Sequence, residues 1–206
     1  MATGPSGRLT SAVNVVGSAL ILNLLWLLCC LPLVTAGAAT AAFYDSVRKR
    51  FVEGEEVTAR DFLRTVVGNA RQATAIGSLG IVVVAVCLLT FLFDPTPSLG
   101  GMAAPVLLSA LALTCLFGWG IPLGARFTNS TGAHLRNGVV LGLTHLPSTL
   151  LCLVGAGLAF AGVWTYFPLV FVLPVAVMVA WTFRLERAFA KHGYLAPAQP
   201  APVARP

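Results

Sequence analysis

Few residues in this chain have the type and spacing that chemistry needs. Cys29, Cys30, Cys87, Cys115 and Cys152 form no CxxC pair and have no histidine pair nearby, so they read as small apolar fillers. No GxSxG, HExxH or phosphate-loop pattern occurs, which leaves no nucleophile elbow, zinc site or nucleotide cradle on which to build an enzyme. No catalytic residue, metal or cofactor is expected. Cysteines aside, His145, in Leu143-Thr144-His145-Leu146-Pro147, is the titratable side chain set deep in an apolar stretch. Beside a proline-loosened backbone it is either a proton-linked or substrate-binding group or a donor to a neighbouring helix's carbonyl. Asn14 and Asn23 read as interhelical hydrogen-bonding groups. His145 and Asn23 are therefore the candidates for an intramembrane polar site.

The charged candidates fall in residues 44–72. On a helix turning ~100° per residue, Arg60, Arg64 and Arg71 lie within about 40° of one another, while Leu63, Val66, Ala70 and Ala73 gather on another side. Gly54 interrupts the preceding helix, and Thr58-Ala59-Arg60-Asp61 is a capping-box start for the next. Glu56 and Arg60 stand at i,i+4, the orientation that supports a helix. The arginine face is either a docking surface for a partner or anionic lipid, or a snorkelling anchor that fixes topology.

What must position these residues is a membrane bundle. Hydrophobic residues make up 57% of the 206 and charged residues 10%, against about a quarter charged in soluble domains. Twelve of the thirteen Lys/Arg lie in residues 44–72, in residues 125–138 or after Phe183. The connections at 94–101 and 162–167 carry none, the alternation expected of a multi-pass protein with its cationic loops inside. The net charge of +6 sits beside apolar spans, which favours anionic headgroups over nucleic acid as its partner.

Uncharged runs of 22, 31 and 47 residues follow Arg71, Asp94 and Arg136. At ~20 residues per crossing they hold one, one and two spans. A further run of 36 follows Arg8. It reads as a helix broken at Pro32, then the small-residue segment from Thr35 to Ala42, resuming as helix into Arg48. The expectation is an all-α, polytopic transmembrane helical bundle of about five spans, near 11–34, 73–93, 102–124, 139–161 and 165–183. A helical cytoplasmic connection joins the first two. The whole forms one membrane-embedded domain, 1–194, with a disordered Pro/Ala-rich tail, 195–206, and an inside C-terminus. The N-terminus lies outside if the first segment spans and inside if it is re-entrant. A cleaved signal is not expected, since the first apolar stretch exceeds the usual h-region. Trp164 and Tyr166 are expected at one headgroup level, Trp119 and Trp181 at the other.

No Asp, Glu, Lys or Arg lies within these spans, which counts against an ion-coupled pump. Two GxxxG patterns, Gly120 to Gly124 and Gly138 to Gly142, permit close helix approach. Pro105, Pro122, Pro147, Pro168 and Pro174 interrupt or border spans three to five.

Asn23-Leu24-Leu25-Trp26, Leu31-Pro32-Leu33-Val34-Thr35-Ala36-Gly37 and Ala39-Thr40-Ala41-Ala42-Phe43-Tyr44 resemble the opening of the YesL-like family of bacterial membrane proteins. Glu53-Gly54-Glu55 and the stretch from Asn69 to Gly77 extend the likeness, which covers about residues 14–80. The family is a domain of unknown function, and it supplies no catalytic or binding residues to carry over. Some members are encoded beside carbohydrate-import ABC transporter components. The resemblance thus implies a bacterial inner-membrane protein with an accessory or permease-like role in sugar uptake. Importer permeases present a Glu-Ala-Ala…Gly loop to their ATPase, and neither 44–72 nor 125–138 supplies one. The expected function is an accessory or interaction subunit contacting ABC transporter subunits or other membrane proteins, itself included as a homo-oligomer. The alternative is a small transporter subunit with a site among the broken helices near His145 and Pro147.

Overall fold

The structure, a computed structural model, describes residues 5–93 and 99–191. The expected proline turn at 95–98 and the tail at 195–206 lie outside the described residues. Every regular element among the described residues is helical: α1 Pro5–Cys30, α2 Ala36–Arg48, α3 Ala59–Leu92, α4 Leu99–Leu113, α5 Ile121–Arg126, α6 Thr131–Thr144, α7 Leu146–Thr165 and α8 Leu173–Lys191. Five helical stretches are long and apolar enough to cross a bilayer: Val13–Cys30, Ala59–Leu92, Ala103–Arg126, Leu146–Thr165 and Phe167–Lys191.

The small-residue segment after Pro32 becomes the centre of the molecule. Pro32 ends α1, a 3-10 turn over Leu33–Thr35 follows, and α2 starts at Ala36. The Thr35 hydroxyl holds the turn by donating to the carbonyls of Cys29 (2.6 Å) and Pro32 (2.8 Å). Trp26 then stacks on Phe43 (centroids 5.2 Å apart), and its indole N–H donates to the Thr40 hydroxyl at 3.3 Å. These contacts lay α1 and α2 against each other across the Pro32 break. Residues 37–47 of α2 are all buried, and α1, α3, α5 and α8 pack around them. Small side chains are what allow this. A Cβ on Gly37 would stand 2.1 Å from the Ala73 carbonyl oxygen and 3.2 Å from the Gly77 Cα.

A π-helical turn, Lys49–Glu53, carries α2 to Gly54, whose left-handed backbone (φ 74°) reverses the chain. The capping box then starts α3 as the sequence predicts. The Thr58 hydroxyl accepts from the Asp61 amide, and the Asp61 carboxylate accepts from the Thr58 amide. α3 runs antiparallel to α2, with Gly37 at Ala73 and Gly77 and, at the other end, Asp45 and Lys49 beside Asp61 and Arg64.

α4 and α5 are one rod joined through a π-helical stretch, Thr114–Gly120, whose backbone never leaves the helical region. Pro122 has no N–H to offer the Gly118 carbonyl four residues back. Of the four GxxxG glycines, Gly120, Gly138 and Gly142 lie where this rod meets α6, while a Cβ on Gly124 would meet nothing nearer than 3.8 Å. A Cβ on Gly138 would lie 2.8 Å from the Gly120 Cα, and one on Gly142 would lie 2.6 Å from the Cys115 sulfur.

The fourth apolar stretch departs from the expected 139–161. The helix breaks at His145 (φ −103°, ψ 41°), so α6 ends at Thr144 and the long apolar helix begins at Leu146. α7 and α8 lie antiparallel, Gly155 near Val177 and Gly162 near Leu173.

Packing is concentrated where the charges are. Of the apolar windows, only 17% of that in Ala59–Leu92 and 6% of that in Leu146–Thr165 is buried. By contrast α2, Phe62, Leu123, His134, Leu185 and Phe189 form a tight core toward the ends bearing Arg48, Arg126 and Lys191. Trp119 and Trp181 belong to that core (1% and 5% exposed) and are not interfacial anchors. They pack edge-to-face at 5.3 Å, and their N–H groups donate to the Thr149 hydroxyl and the Gly118 carbonyl. Trp164 and Tyr166, at the uncharged end, are exposed as expected of headgroup-level aromatics.

Candidate functional site

The arginine face stands on the first turns of α3. Phe62, Ala73, Ile76, Gly77 and Gly80 are its buried residues, and Arg60, Arg64 and Arg71 are all exposed. None of the three enters an ion pair among the described residues. The expected Glu56–Arg60 pair does not form, because Glu56 lies in the non-helical link ahead of the Thr58 cap, off the helical register. Arg64 also lines a polar cleft of 300 Å³ with Asp45, Lys49, Glu56 and Asp61. The cap and the buried face hold the arginines on a rigid rod, their heads free to meet an anionic or polar partner.

Behind this face lies an ionic cluster that sequence reasoning missed. Asp45, 7% exposed, accepts from Arg48 at 2.8 Å and pairs with Lys49 at 2.7 Å. Arg48 also reaches Glu53. Deeper in, the fully buried Tyr44 donates to Glu186 at 2.7 Å, and Glu186 pairs with Arg126. This joins α2, α5 and α8. Burial, then the charge and hydrogen bond of Glu186, raise the Tyr44 phenol well above its usual range, against the opposing Arg126. The one available signal was Glu186 itself, an acid between Arg184 and Arg187 on an otherwise apolar helix. A carboxylate there needs a buried partner.

His134, unremarked in the sequence, is 1% exposed, and its Nε2 has no hydrogen-bond partner among the described residues. Burial pushes its imidazole below the usual value, with a hydrogen bond to the Phe127 backbone opposing.

The two intramembrane candidates have separate partners. Asn23 is buried and donates to the Val170 carbonyl at 2.9 Å, tying α1 to the 3-10 turn Phe167–Phe171 ahead of α8. Asn14 is exposed. His145 occupies the α6–α7 break, its ring stacked on Trp119 at 5.5 Å. The break also frees the Gly142 carbonyl to accept from the buried Thr149 hydroxyl at 2.7 Å. Both candidates thus do interhelical work. Among the described residues no group of three or more His, Cys, Asp or Glu is placed to hold a metal ion.

Residues 19–91, which comprise α1 from Ala19, α2 and nearly all of α3, match the model of a family described as "Protein of unknown function, DUF624". The match covers the fold-back of α1 on α2 and the α2–α3 seam, and takes in all three arginines. No curated protein and no solved structure matches the chain.

Proposed function

We propose that this chain is a non-catalytic accessory subunit of the bacterial cytoplasmic membrane, which holds a partner membrane protein through the arginine face of α3. The observation that carries this reading is the exposed set Arg60, Arg64 and Arg71, in no ion pair among the described residues, on a capped helix whose other side is locked into the core. Cationic loops face the cytoplasm under the positive-inside rule, so this face and the end of α8 are cytoplasmic. The resemblance to YesL-like proteins supports a place beside a carbohydrate importer.

Transport by this chain alone draws little support from its interior. Two cavities of 430 and 580 Å³ share the wall formed by Phe117, Gly118, Cys152 and Ala156. The hydroxyls of Thr40 and Thr114 and the indole N–H groups of Trp26 and Trp181 at their edges already donate within the protein. A sugar entering either would give up hydrogen bonds to water and receive few in return.

The test is a crosslinked, detergent-solubilised affinity purification from the native membrane, read by mass spectrometry, for the parent and for Arg60→Glu/Arg64→Glu/Arg71→Glu. Stoichiometric transporter subunits with the parent, reduced at least tenfold in the triple variant at equal membrane level, are expected from losing about 1.4 kcal/mol or more of contact. Equal recovery from both proteins would end this reading.

A further inference from the structure

Between α7 and α8 the surface carries a groove of 200 Å³. Leu151, Gly155 and Leu158 line one wall and Val177, Ala180 and Arg184 the other. Gly155 creates the space: a Cβ there would meet nothing nearer than a Val177 methyl at 4.0 Å. Leu151 and Leu158 are 47% and 69% exposed, so the groove opens sideways, where bilayer chains lie. Trp181 contributes only its ring, since its N–H is committed to the Gly118 carbonyl. The trough is therefore hydrocarbon along its length and ends in a cation.

That cation has no ion-pair partner among the described residues. Arg184 and Arg187 are both exposed, and neither is in an ion pair among the described residues. The acid between them, Glu186, is engaged by Tyr44 and Arg126 on the inner side of α8. The facing first turn of α7 contains no acid. An apolar trough that ends in a guanidinium outside any ion pair among the described residues calls for an occupant with a hydrocarbon tail and an anionic head. Cationic pockets between membrane helices at the headgroup level hold such lipids, and guanidinium meets phosphate in a forked pair.

We propose that the α7–α8 groove is a binding site for an anionic phospholipid of the charged-side leaflet. One acyl chain lies along the groove over Gly155 and Val177, and the phosphate rests on Arg184 with Arg187 beside it. The site is separate from the α3 face and stands or fails independently of the accessory reading.

The test uses the full chain purified in detergent and incubated with phosphatidylglycerol or phosphatidylcholine, with retained lipid counted by native mass spectrometry. The parent should retain phosphatidylglycerol in preference to phosphatidylcholine. Arg184→Gln should lower phosphatidylglycerol retention about fivefold, the effect of one cation near a headgroup, and leave phosphatidylcholine unchanged. Gly155→Leu should reduce both lipids by filling the trough, and Ala180→Leu, at an exposed position of the facing wall, should do the same. Arg136→Gln, an exposed cation removed elsewhere, should change nothing. Equal retention of the two lipids by the parent, or an undiminished preference in Arg184→Gln, would overturn the headgroup assignment. Full retention in Ala180→Leu, or displacement of the lipid by equimolar glycerol 3-phosphate, would overturn the chain assignment.

Discussion

A proline in an apolar helix leaves the carbonyl four residues earlier without its donor, and in hydrocarbon that carbonyl must find another. Here other helices supply it. Pro122 withholds an N–H from Gly118, whose carbonyl accepts from Trp181 at 2.8 Å. Val170, in the 3-10 turn Phe167–Phe171 ahead of α8, likewise has its carbonyl served by a side chain, accepting from Asn23 at 2.9 Å. Polar side chains thus answer carbonyls that the backbone leaves over, and Asn23 is better explained by this bond than by a ligand. Trp181→Phe should cost about 1–2 kcal/mol, the scale of interhelical hydrogen bonds in bilayers. In a Pro122→Ala background, where residue 122 regains an N–H, the same substitution should cost less than half as much. Unfolding in mixed micelles measures all four corners of the cycle. Strictly additive losses would show that Pro122 and Trp181 do not serve the same carbonyl.

At the scale of elements, the α2–α3 seam decides whether the core forms. Adding one methyl to Gly37 drives it against the Ala73 carbonyl, which a backbone cannot easily give way to. Gly37→Ala should therefore cost about 3 kcal/mol or more, at the upper end of overpacking penalties. Gly68→Ala, also in α3 but with nothing within 4 Å of the new carbon, should be neutral or gain about 0.5–1 kcal/mol. Thermal unfolding in one detergent compares them directly, and equal effects would mean that the seam is not close-packed in solution. The small-residue run from Ala36 was visible in the sequence, as were the capping box at Thr58, the Pro32 break and both GxxxG patterns, because each is a local signature. That α2 would be the buried centre was not visible. Alanine and glycine carry weak hydropathy, and burial of residues 37–47 comes from four other helices closing round them. Charge gaps marked where apolar spans run but not which face packs. For that reason Trp119 and Trp181 look interfacial in the sequence and are core in the fold, and Tyr44, Arg126 and Glu186 give no sign of meeting.

For the molecule as a whole, the proposed orientation and function both rest on the contrast between its two ends. At one end α2, α5, α6 and the last turns of α8 interlock through buried aromatics and the Tyr44–Glu186–Arg126 contact. Toward the other, the long apolar helices α3 and α7 are little buried, and exposed Trp164, Tyr166 and Phe167 stand at that end. A body packed most tightly where its cations lie, with open apolar surface elsewhere for lipid or a neighbouring span, suits the proposed subunit that grips with one end. The arrangement demands that Glu55, Asn129 and Lys191, exposed on three different segments, share one face of the membrane, with Tyr166 on the opposite face. Single cysteines at these positions, in a variant lacking the five native thiols, can be challenged with an impermeant maleimide on intact and on permeabilised cells. Tyr166→Cys should react in intact cells, and the other three only after permeabilisation. Reaction of Asn129→Cys alongside Tyr166→Cys would mean that the α5–α6 connection faces the other way. The Arg126–Glu186 contact would then not exist in the membrane, and the interlocked end would have to be rebuilt without it.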